Sequence, residues 1–115
     1  ISNNPNQNQL QSMTADEQIY LIREWGRAKG IIGPKGSGTE RTQLYKLMEE
    51  IGELQHAIRD NIEHEKIDAI GDCGVVLILL ADIIGIPFED CLEAAYQVIS
   101  KRTGKMVNGT FVKDD

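Results

Sequence analysis

Five acidic residues stand at helical spacing in the middle of the chain. In the segment KLMEEIGELQHAI, Glu49 and Glu50 precede Glu53 by four and three residues, and further on Asp68 and Asp72 are again four residues apart. Like charges at these spacings repel one another on a helix. Either water screens them on a solvated face, or a positive group binds there. Carboxylate oxygens suit a hard divalent cation such as Mg²⁺ or Mn²⁺. From the residues alone, both interpretations stay open.

The three glutamates belong to a predicted amphipathic helix. Ser37 followed by Glu40 has the form of a capping box, so the helix is expected to begin there. Its apolar positions recur at steps of three and four residues, and they are Leu44, Leu47, Met48, Ile51, Leu54 and Ile58. At about 100° per residue, Glu49 and Glu53 fall nearly opposite this stripe, and Glu50 lies on its flank.

A second predicted helix carries the two aspartates. It runs from about Lys66 to Ile84 and is apolar nearly all round beyond Cys73, which is typical of a helix buried among others. Asp68 and Asp72 stand where the apolar segment begins, and a carboxylate there is costly to desolvate unless a cation or hydrogen-bond donors compensate it. The connector before this helix is short, which favours an antiparallel pair. The two acidic faces are then expected to meet.

The rest of the chain predicts two more helices and a hairpin. One helix begins at Thr14 or Asp16, and another runs from Glu89 to about Lys101. The ending KMVNGTFVK places an Asn-Gly turn between two β-prone arms, a strong hairpin signal. Residues 1–13 are polar and are expected to form a flexible arm before a single helical domain, residues 14–115. The predicted fold is all-α: a four-helix-type bundle completed by oligomerisation, with a short C-terminal β-hairpin.

Composition limits the partners. The chain has 115 residues and a net charge of −6, so a nucleic-acid backbone is a poor candidate partner. Its apolar run CGVVLILLA is far shorter than the ~20 residues of a membrane helix, so no membrane partner is expected. The two cysteines are expected to be free thiols, which predicts a cytoplasmic protein. A domain of this size buries a modest core, and a homodimer or homotetramer would add apolar burial.

Other residues could recognise a charged or aromatic ligand. Lys46 lies one helical turn before Glu50, where it could face phosphates or form an ordinary ion pair. Arg102 and Lys105 follow the last helix, and they could bind phosphates or simply suit a helix C-terminus. Trp25 could stack on a nucleobase or belong to the core or an interface. Asn108 is first the turn residue of the hairpin, with any substrate role secondary.

The order and spacing of two motifs resemble a known family. EEIGEL, followed by DAIGD and an apolar run, is similar to the MazG-like nucleoside triphosphate pyrophosphohydrolases, which are all-α enzymes related to dimeric dUTPases. The likeness extends from about Ile19 to Lys113, and the ending RTGKMVNGTFVK resembles phage and bacterial members. The resemblance implies a helical enzyme that holds Mg²⁺, with Mn²⁺ as an alternative, and that splits a nucleoside triphosphate into a monophosphate and pyrophosphate.

The resemblance also implies roles for the carboxylates. Glu49, Glu50 and Glu53 would form the first metal motif, and the family's last metal aspartate falls on Asp72. The family has a glutamate three residues before that aspartate, where this chain has Ala69, so Asp68 is expected to reach the same ion instead. Water would attack the α-phosphorus. Glu50 is expected to act as the general base.

Two other interpretations remain. Glu53 and His56 have the Glu-x-x-His form of di-iron bundles, in which two such motifs and two further glutamates surround the metals. Only one copy occurs here, and a homodimer would have to supply the second. In the other interpretation the chain is a non-enzymatic helical interaction module, and its acids are solvated faces.

Overall fold

Four helices and one hairpin make up residues 12–115, the part of the chain that the computed structural model describes. The predicted arm, residues 1–13, lies outside these residues except for Ser12 and Met13. In chain order the elements are α1 (Ala15–Ala28), α2 (Glu40–Asp60), α3 (Glu63–Ile84), α4 (Phe88–Ile99), β1 (Gly104–Val107) and β2 (Thr110–Lys113). The predicted all-α class with a short C-terminal antiparallel hairpin is confirmed.

Side-chain caps fix where the first two helices begin. The Thr14 hydroxyl accepts from the Glu17 N–H at 3.1 Å, and the Glu17 carboxylate accepts from the Thr14 N–H, so α1 begins as predicted. The expected Ser37 cap of α2 was wrong. Thr39 caps this helix through the Thr42 N–H, because residues 30–38 fold back as a hydrogen-bonded loop that delays the helix by two residues.

The central unit of the fold is the pair α2 and α3. They make the most extensive contact of any two helices in residues 12–115, and α1 and α4 each pack against α3. Two residues join the pair: Asn61 in the left-handed conformation, and Ile62 in an extended one. So short a connector makes the helices antiparallel, as predicted. The buried apolar side chains lie mainly on α3, and in residues 12–115 they are Ile32, Ala57, Ala69, Val76, Ile78, Leu79 and Ala81.

Much of the predicted core is exposed. Burial nearly all round α3 beyond Cys73 is confirmed at most positions, whereas most of the apolar stripe of α2 is exposed in the single chain. A set of large side chains remains between 38% and 63% exposed, and we call it the outer apolar face: Leu44, Met48, Ile51, Ile58, Ile67, Ile70 and Leu77. α3 has neighbours on only part of its circumference, so the remaining apolar positions face outward.

α1 and α4 are joined by an ion pair. The Arg23 guanidinium donates to both carboxylate oxygens of Glu89, at 2.8 and 2.9 Å. This bidentate hydrogen bonding lowers the pKa of Glu89 to about 2. About one turn further along α1, Gly26 lies against α3 so closely that a Cβ there would be 2.6 Å from Leu79 Cδ2. Glycine therefore allows α1 to approach the buried Leu79.

The hairpin follows α4 and is exposed along both strands. Its strands pair from Gly104 opposite Lys113 to Val107 opposite Thr110. Asn108 and Gly109 both have positive φ, as a two-residue turn of this kind requires, so the Asn-Gly turn is confirmed. None of the described residues of α4 is buried either.

Within residues 12–115, no single helix is both long and apolar enough to cross a membrane. Glu63–Ile84 and Phe88–Ile99 reach that length and apolar character only when taken together, and a bend of 98° separates them.

We expect Glu89→Gln to destabilise the protein by about 1.5–3 kcal/mol at pH 7, because the variant loses a charge-assisted bidentate pair. The ordinary pKa of 4.5 falls to about 2 in the folded chain, so this stabilisation is present above pH 4.5 and is lost as the pH falls toward 2. Urea denaturation at pH 7 and at pH 2 measures both effects. Glu24→Gln is the control, since the Glu24–Arg27 pair is exposed and its loss should cost below about 1 kcal/mol. Equal costs for the two variants would contradict this role of the pair.

Candidate metal centre

Glu50 is the only buried polar or charged residue in the described part of the chain. It lies on α2 with 6% of its surface exposed. Ala57 is the other buried residue of this helix, and it follows Glu50 by two turns, on nearly the same side. Glu50 therefore points toward the contact with α3 rather than into water. A buried carboxylate is costly unless a proton, donors or a cation compensate it.

Two more carboxylates converge on Glu50. Glu53 follows one turn later on α2, and Asp72 comes from α3. One ligand oxygen from each of the three residues lies within 4.8 Å of the others. Glu53 and Asp72 are exposed, so the cluster has one buried and two solvent-facing members. We call these three residues the carboxylate cluster.

The cluster makes the charged form of Glu50 unfavourable. Burial is the largest cause, followed by a hydrogen bond to Glu53 and by the negative charges of Glu53 and Asp72. The positive charge of Lys46 acts in the opposite direction but is the smallest effect. Together these raise the pKa of Glu50 from its ordinary 4.5 to about 7. A bound cation would relieve the same conflict, because it would favour all three carboxylates in their charged forms.

The donor set fits a hard divalent cation. All three groups offer carboxylate oxygen, which suits Mg²⁺ and Mn²⁺, and the described cluster includes no sulfur or imidazole ligand. Mg²⁺ usually keeps several waters and takes only a few protein carboxylates. Glu50, Glu53 and Asp72 are therefore the residues that would hold it.

An acidic pocket adjoins one side of the cluster. It has a volume of about 300 Å³ and is lined by Glu53, His56, Glu65, Asp68, Ala69 and Asp72. Asp68 is thus beside Asp72, although it is outside the group of three converging carboxylates. Ala69, which stands where the MazG-like family has a glutamate, is buried. Its side chain faces the contact between α2 and α3, at the edge of the acidic pocket.

A second pocket, the mixed pocket, adjoins the other side. Its volume is about 330 Å³, and its lining is Trp25, Ile31, Gln43, Lys46, Glu50, Asp72, Val75, Val76 and Leu79. The carboxylates of Glu50 and Asp72 form its charged end, while Trp25 and the aliphatic side chains form an apolar wall. Such a pocket suits a ligand with one charged and one aromatic part.

The sequence analysis missed several residues of the mixed pocket. Gln43 could have been found, because it precedes Glu50 by seven residues and so lies on nearly the same side of α2. Ile31 carried no such signal. It reaches the pocket from the loop before α2, where its carbonyl accepts from the Gly38 N–H at 2.9 Å.

Glu49 lies outside the carboxylate cluster. It is one residue before Glu50 and therefore points about 100° away round α2. Its Oε1 accepts from Lys46 Nζ at 3.0 Å, and both side chains are at least half exposed. Lys46 thus pairs with Glu49 rather than with Glu50, while it also lines the mixed pocket.

Three predicted substrate residues lie away from the cluster in the single chain. Arg102 lines a different cavity, formed with Tyr96, Ile99, Ser100 and Phe111. Lys105 is on β1 and Asn108 is in the hairpin turn. None of these three lines either pocket beside the cluster. Trp25 and Lys46, in contrast, are both in the mixed pocket, so their predicted substrate roles remain predictions with a suitable location.

The Glu50 pKa predicts how the metal-free protein responds to pH. The folded chain keeps the Glu50 proton up to a pKa of about 7, whereas the unfolded chain releases it near 4.5, so stability should fall as the pH rises through this window. Glu50→Gln is neutral and of similar shape. We expect it to raise the melting temperature at pH 8 by at least about 4 °C with a chelator present, and to flatten the profile between pH 5 and 8.

Glu49→Gln is the matched control, because it removes the neighbouring exposed charge and should leave the pH profile unchanged. Differential scanning fluorimetry across the pH range measures all three proteins. If the melting temperature of the wild-type protein does not fall between pH 5 and 8, then ionisation of Glu50 does not destabilise the folded chain, and the prediction is wrong.

Comparison with known proteins gives little further guidance. No protein-family model matches the chain, and no solved structure matches it. A stretch of 63 residues is 37% identical to a protein of Haemophilus phage HP1 (strain HP1c1), named as an uncharacterized 18.2 kDa protein in the rep-hol intergenic region. The match covers 55% of this chain and only 37% of the phage protein. The chain is therefore similar to a part of that protein.

Proposed function

We propose that this chain hydrolyses nucleoside or deoxynucleoside triphosphates to the monophosphate and pyrophosphate, with Mg²⁺ as cofactor. The observation that carries the proposal is the buried Glu50, held beside Glu53 and Asp72 at the charged end of a pocket whose other wall is apolar. A solvated acidic face has no reason to bury one of its carboxylates. The resemblance of the two acidic motifs to MazG-like pyrophosphohydrolases supports the same activity.

The cation and the chain have separate tasks in this reaction. When bound, Mg²⁺ would neutralise the negative charge of the phosphates and lower the pKa of the attacking water. Glu53 and Asp72, which are exposed, would hold the ion together with Glu50. Glu50 is the general base: it takes the proton as the water oxygen bonds to the α-phosphorus, and the bond from that phosphorus to the bridging oxygen of pyrophosphate breaks.

The mixed pocket orients the substrate. The phosphates lie at its charged end, where Lys46 adds a cation, and the nucleobase lies against Trp25 and the aliphatic wall. An aromatic side chain can stack on any base, so this contact provides affinity without selecting the base. Arg102, Lys105 and Asn108 stay predictions as substrate residues, and in the single chain they are remote from this pocket.

The proposal includes a homo-oligomer in the cytoplasm. A four-helix-type bundle completed by a second chain would explain why so many apolar side chains are exposed in one chain. A dimer and a tetramer are both compatible with the single chain.

The acidic pocket favours one alternative, a carboxylate-bridged di-iron centre. Glu53 and His56 both line this pocket, with Glu65 and Asp68 facing them from α3. This alternative predicts iron that remains bound through purification, with an optical absorption band. A colourless protein without iron would exclude it.

Substitutions in the carboxylate cluster should abolish turnover. We expect Glu50→Gln, Glu53→Gln and Asp72→Asn each to lower kcat/KM by at least about 100-fold, since each removes a cation ligand or the base. Glu49→Gln is the matched control, because Glu49 pairs with Lys46 outside the cluster, and we expect it to keep most of the activity. The assay uses a panel of NTPs and dNTPs with Mg²⁺ and measures monophosphate and pyrophosphate separately from orthophosphate.

Monophosphate and pyrophosphate as products would establish cleavage between the α- and β-phosphates, and ¹⁸O from labelled water in the monophosphate would establish attack at the α-phosphorus. Turnover of no member of the panel with Mg²⁺ or Mn²⁺ would overturn the proposal. The melting temperature then separates the remaining interpretations, because a cation that binds the native state must raise it by mass action. A non-enzymatic interaction module predicts no change with millimolar Mg²⁺.

Trp25→Leu should weaken substrate binding and spare the chemistry. Loss of a base stack of about 1–3 kcal/mol predicts a rise in KM of roughly 5- to 150-fold, with kcat changed far less. Tyr20→Leu is the control, since Tyr20 is a similarly exposed aromatic residue of α1 that lies outside the mixed pocket. Steady-state kinetics on the best substrate measures both. Equal effects of the two substitutions would place the base elsewhere.

A further inference from the structure

We infer that the side-chain amide of Gln43 selects the base of the nucleotide and favours the bases that carry an amino group, adenine and cytosine. This role rests on the proposed function, since it requires a nucleotide in the mixed pocket with its base against Trp25. Stacking on Trp25 cannot distinguish one base from another, because every base has an aromatic face. Selection therefore needs a hydrogen-bonding group at the edge of the stacked base.

Gln43 is the residue of the mixed pocket that can supply such a group. It is the one neutral side chain in the described lining that offers both a donor and an acceptor. The other polar groups there are the charged Lys46, Glu50 and Asp72 and the indole of Trp25, which only donates. Gln43 is half-buried, and no group in the described part of the chain forms a hydrogen bond with its amide. The amide is therefore available to a ligand.

The position of Gln43 on α2 matches the length of a nucleotide. Gln43, Lys46 and Glu50 follow one another at steps of three and four residues, so they point to the same side of the helix. Two helical turns, about 10 Å along the axis, separate Gln43 from Glu50. This is close to the distance between the α-phosphate and the far edge of the base in an extended nucleotide. With the α-phosphate beside Glu50, the base edge would lie at Gln43.

The loop before α2 determines which end of the Gln43 amide faces the pocket. A Cβ added at Gly38 would lie 3.4 Å from Gln43 Nε2 and 2.6 Å from the Ile31 carbonyl oxygen. The amide nitrogen is thus on the side of the loop, where a carbonyl oxygen favours an N–H group and disfavours the amide oxygen. Oε1 of Gln43 is then the atom that faces a ligand, and it can only accept a hydrogen bond.

An acceptor at this place favours a base with an amino group at its edge. Adenine and cytosine present an exocyclic N–H group, whereas guanine, uracil and thymine present a carbonyl oxygen. A carbonyl oxygen against Oε1 would leave two acceptors without a proton between them. The loss of this hydrogen bond, together with the unsatisfied acceptor, is expected to change kcat/KM by roughly 5- to 150-fold.

Two pairs of substrates test the role of Gln43, because the members of each pair differ at this edge: dATP with dITP, and dCTP with dUTP. Wild-type protein with Mg²⁺ is expected to favour the amino member of each pair by at least about tenfold in kcat/KM. Gln43→Met has a similar length and no hydrogen-bonding group, so it should bring both ratios to within about threefold. A purely structural effect would lower the turnover of both members and leave the ratios unchanged.

Gln55→Met is the matched control. It makes the same chemical change on α2, at an exposed position outside both pockets beside the carboxylate cluster. We expect it to keep the wild-type ratios for both pairs of substrates.

The fluorescence of Trp25 measures the same preference without hydrolysis. Trp25 is the single tryptophan of the chain, so a base stacked on it should quench the tryptophan emission. The monophosphates dAMP, dIMP, dCMP and dUMP are titrated with Mg²⁺ present. The dissociation constants should favour dAMP over dIMP and dCMP over dUMP in the wild-type protein, and Gln43→Met should lose both preferences.

A wild-type protein that treats the members of each pair alike, or that favours the keto members, would overturn the role of Gln43. A Gln43→Met variant that keeps the wild-type ratios would do the same. Release of pyrophosphate without an amino preference would refute base selection and leave the hydrolase intact. A chain that releases no pyrophosphate, but binds dAMP over dIMP through Gln43, would refute the hydrolase alone.

Discussion

The burial of Glu50 between α2 and α3 is the constraint on which the site depends. Its carboxylate is removed from water and faces the negative groups of Glu53 and Asp72, so the folded chain is more stable when it keeps a proton there or binds a cation. The two-residue connector after α2 makes the pair antiparallel and thereby brings Asp72 opposite Glu50. A shift of either helix by one residue would rotate its carboxylate about 100° away.

The α2–α3 pair has two sides of opposite chemistry, and the other elements cover only one of them in the single chain. α1 lies on the side of the cluster, where Gly26 approaches Leu79 and Trp25 forms part of the mixed pocket. The Arg23–Glu89 pair then links α1 to the start of α4. These contacts shape the pocket wall but leave the outer apolar face in water. The same two helices therefore present an acidic, pocket-lined side and an apolar side.

The sequence predicted the features that depend on local signals. Helix order, the Thr14 cap and the Asn-Gly turn follow from neighbouring residues, and helical spacing alone suggested that the carboxylates could converge. Features that depend on tertiary contacts were harder to predict from the sequence. The loop fold that moves the α2 cap from Ser37 to Thr39 has no short-range signature. Apolar periodicity shows which side chains avoid water, but not whether the covering neighbour belongs to the same chain.

Repulsion within the carboxylate cluster also determines what can enter the proposed site. A triphosphate carries several negative charges, and three carboxylates at close range would repel it as strongly as they repel one another. Binding of phosphate is therefore linked to binding of the cation, and each should strengthen the other. The apolar wall with Trp25 contributes no charge to this balance. In the proposed function it would favour the base end of the ligand whatever the cation does, and it would so fix the direction in which a nucleotide lies across Glu50.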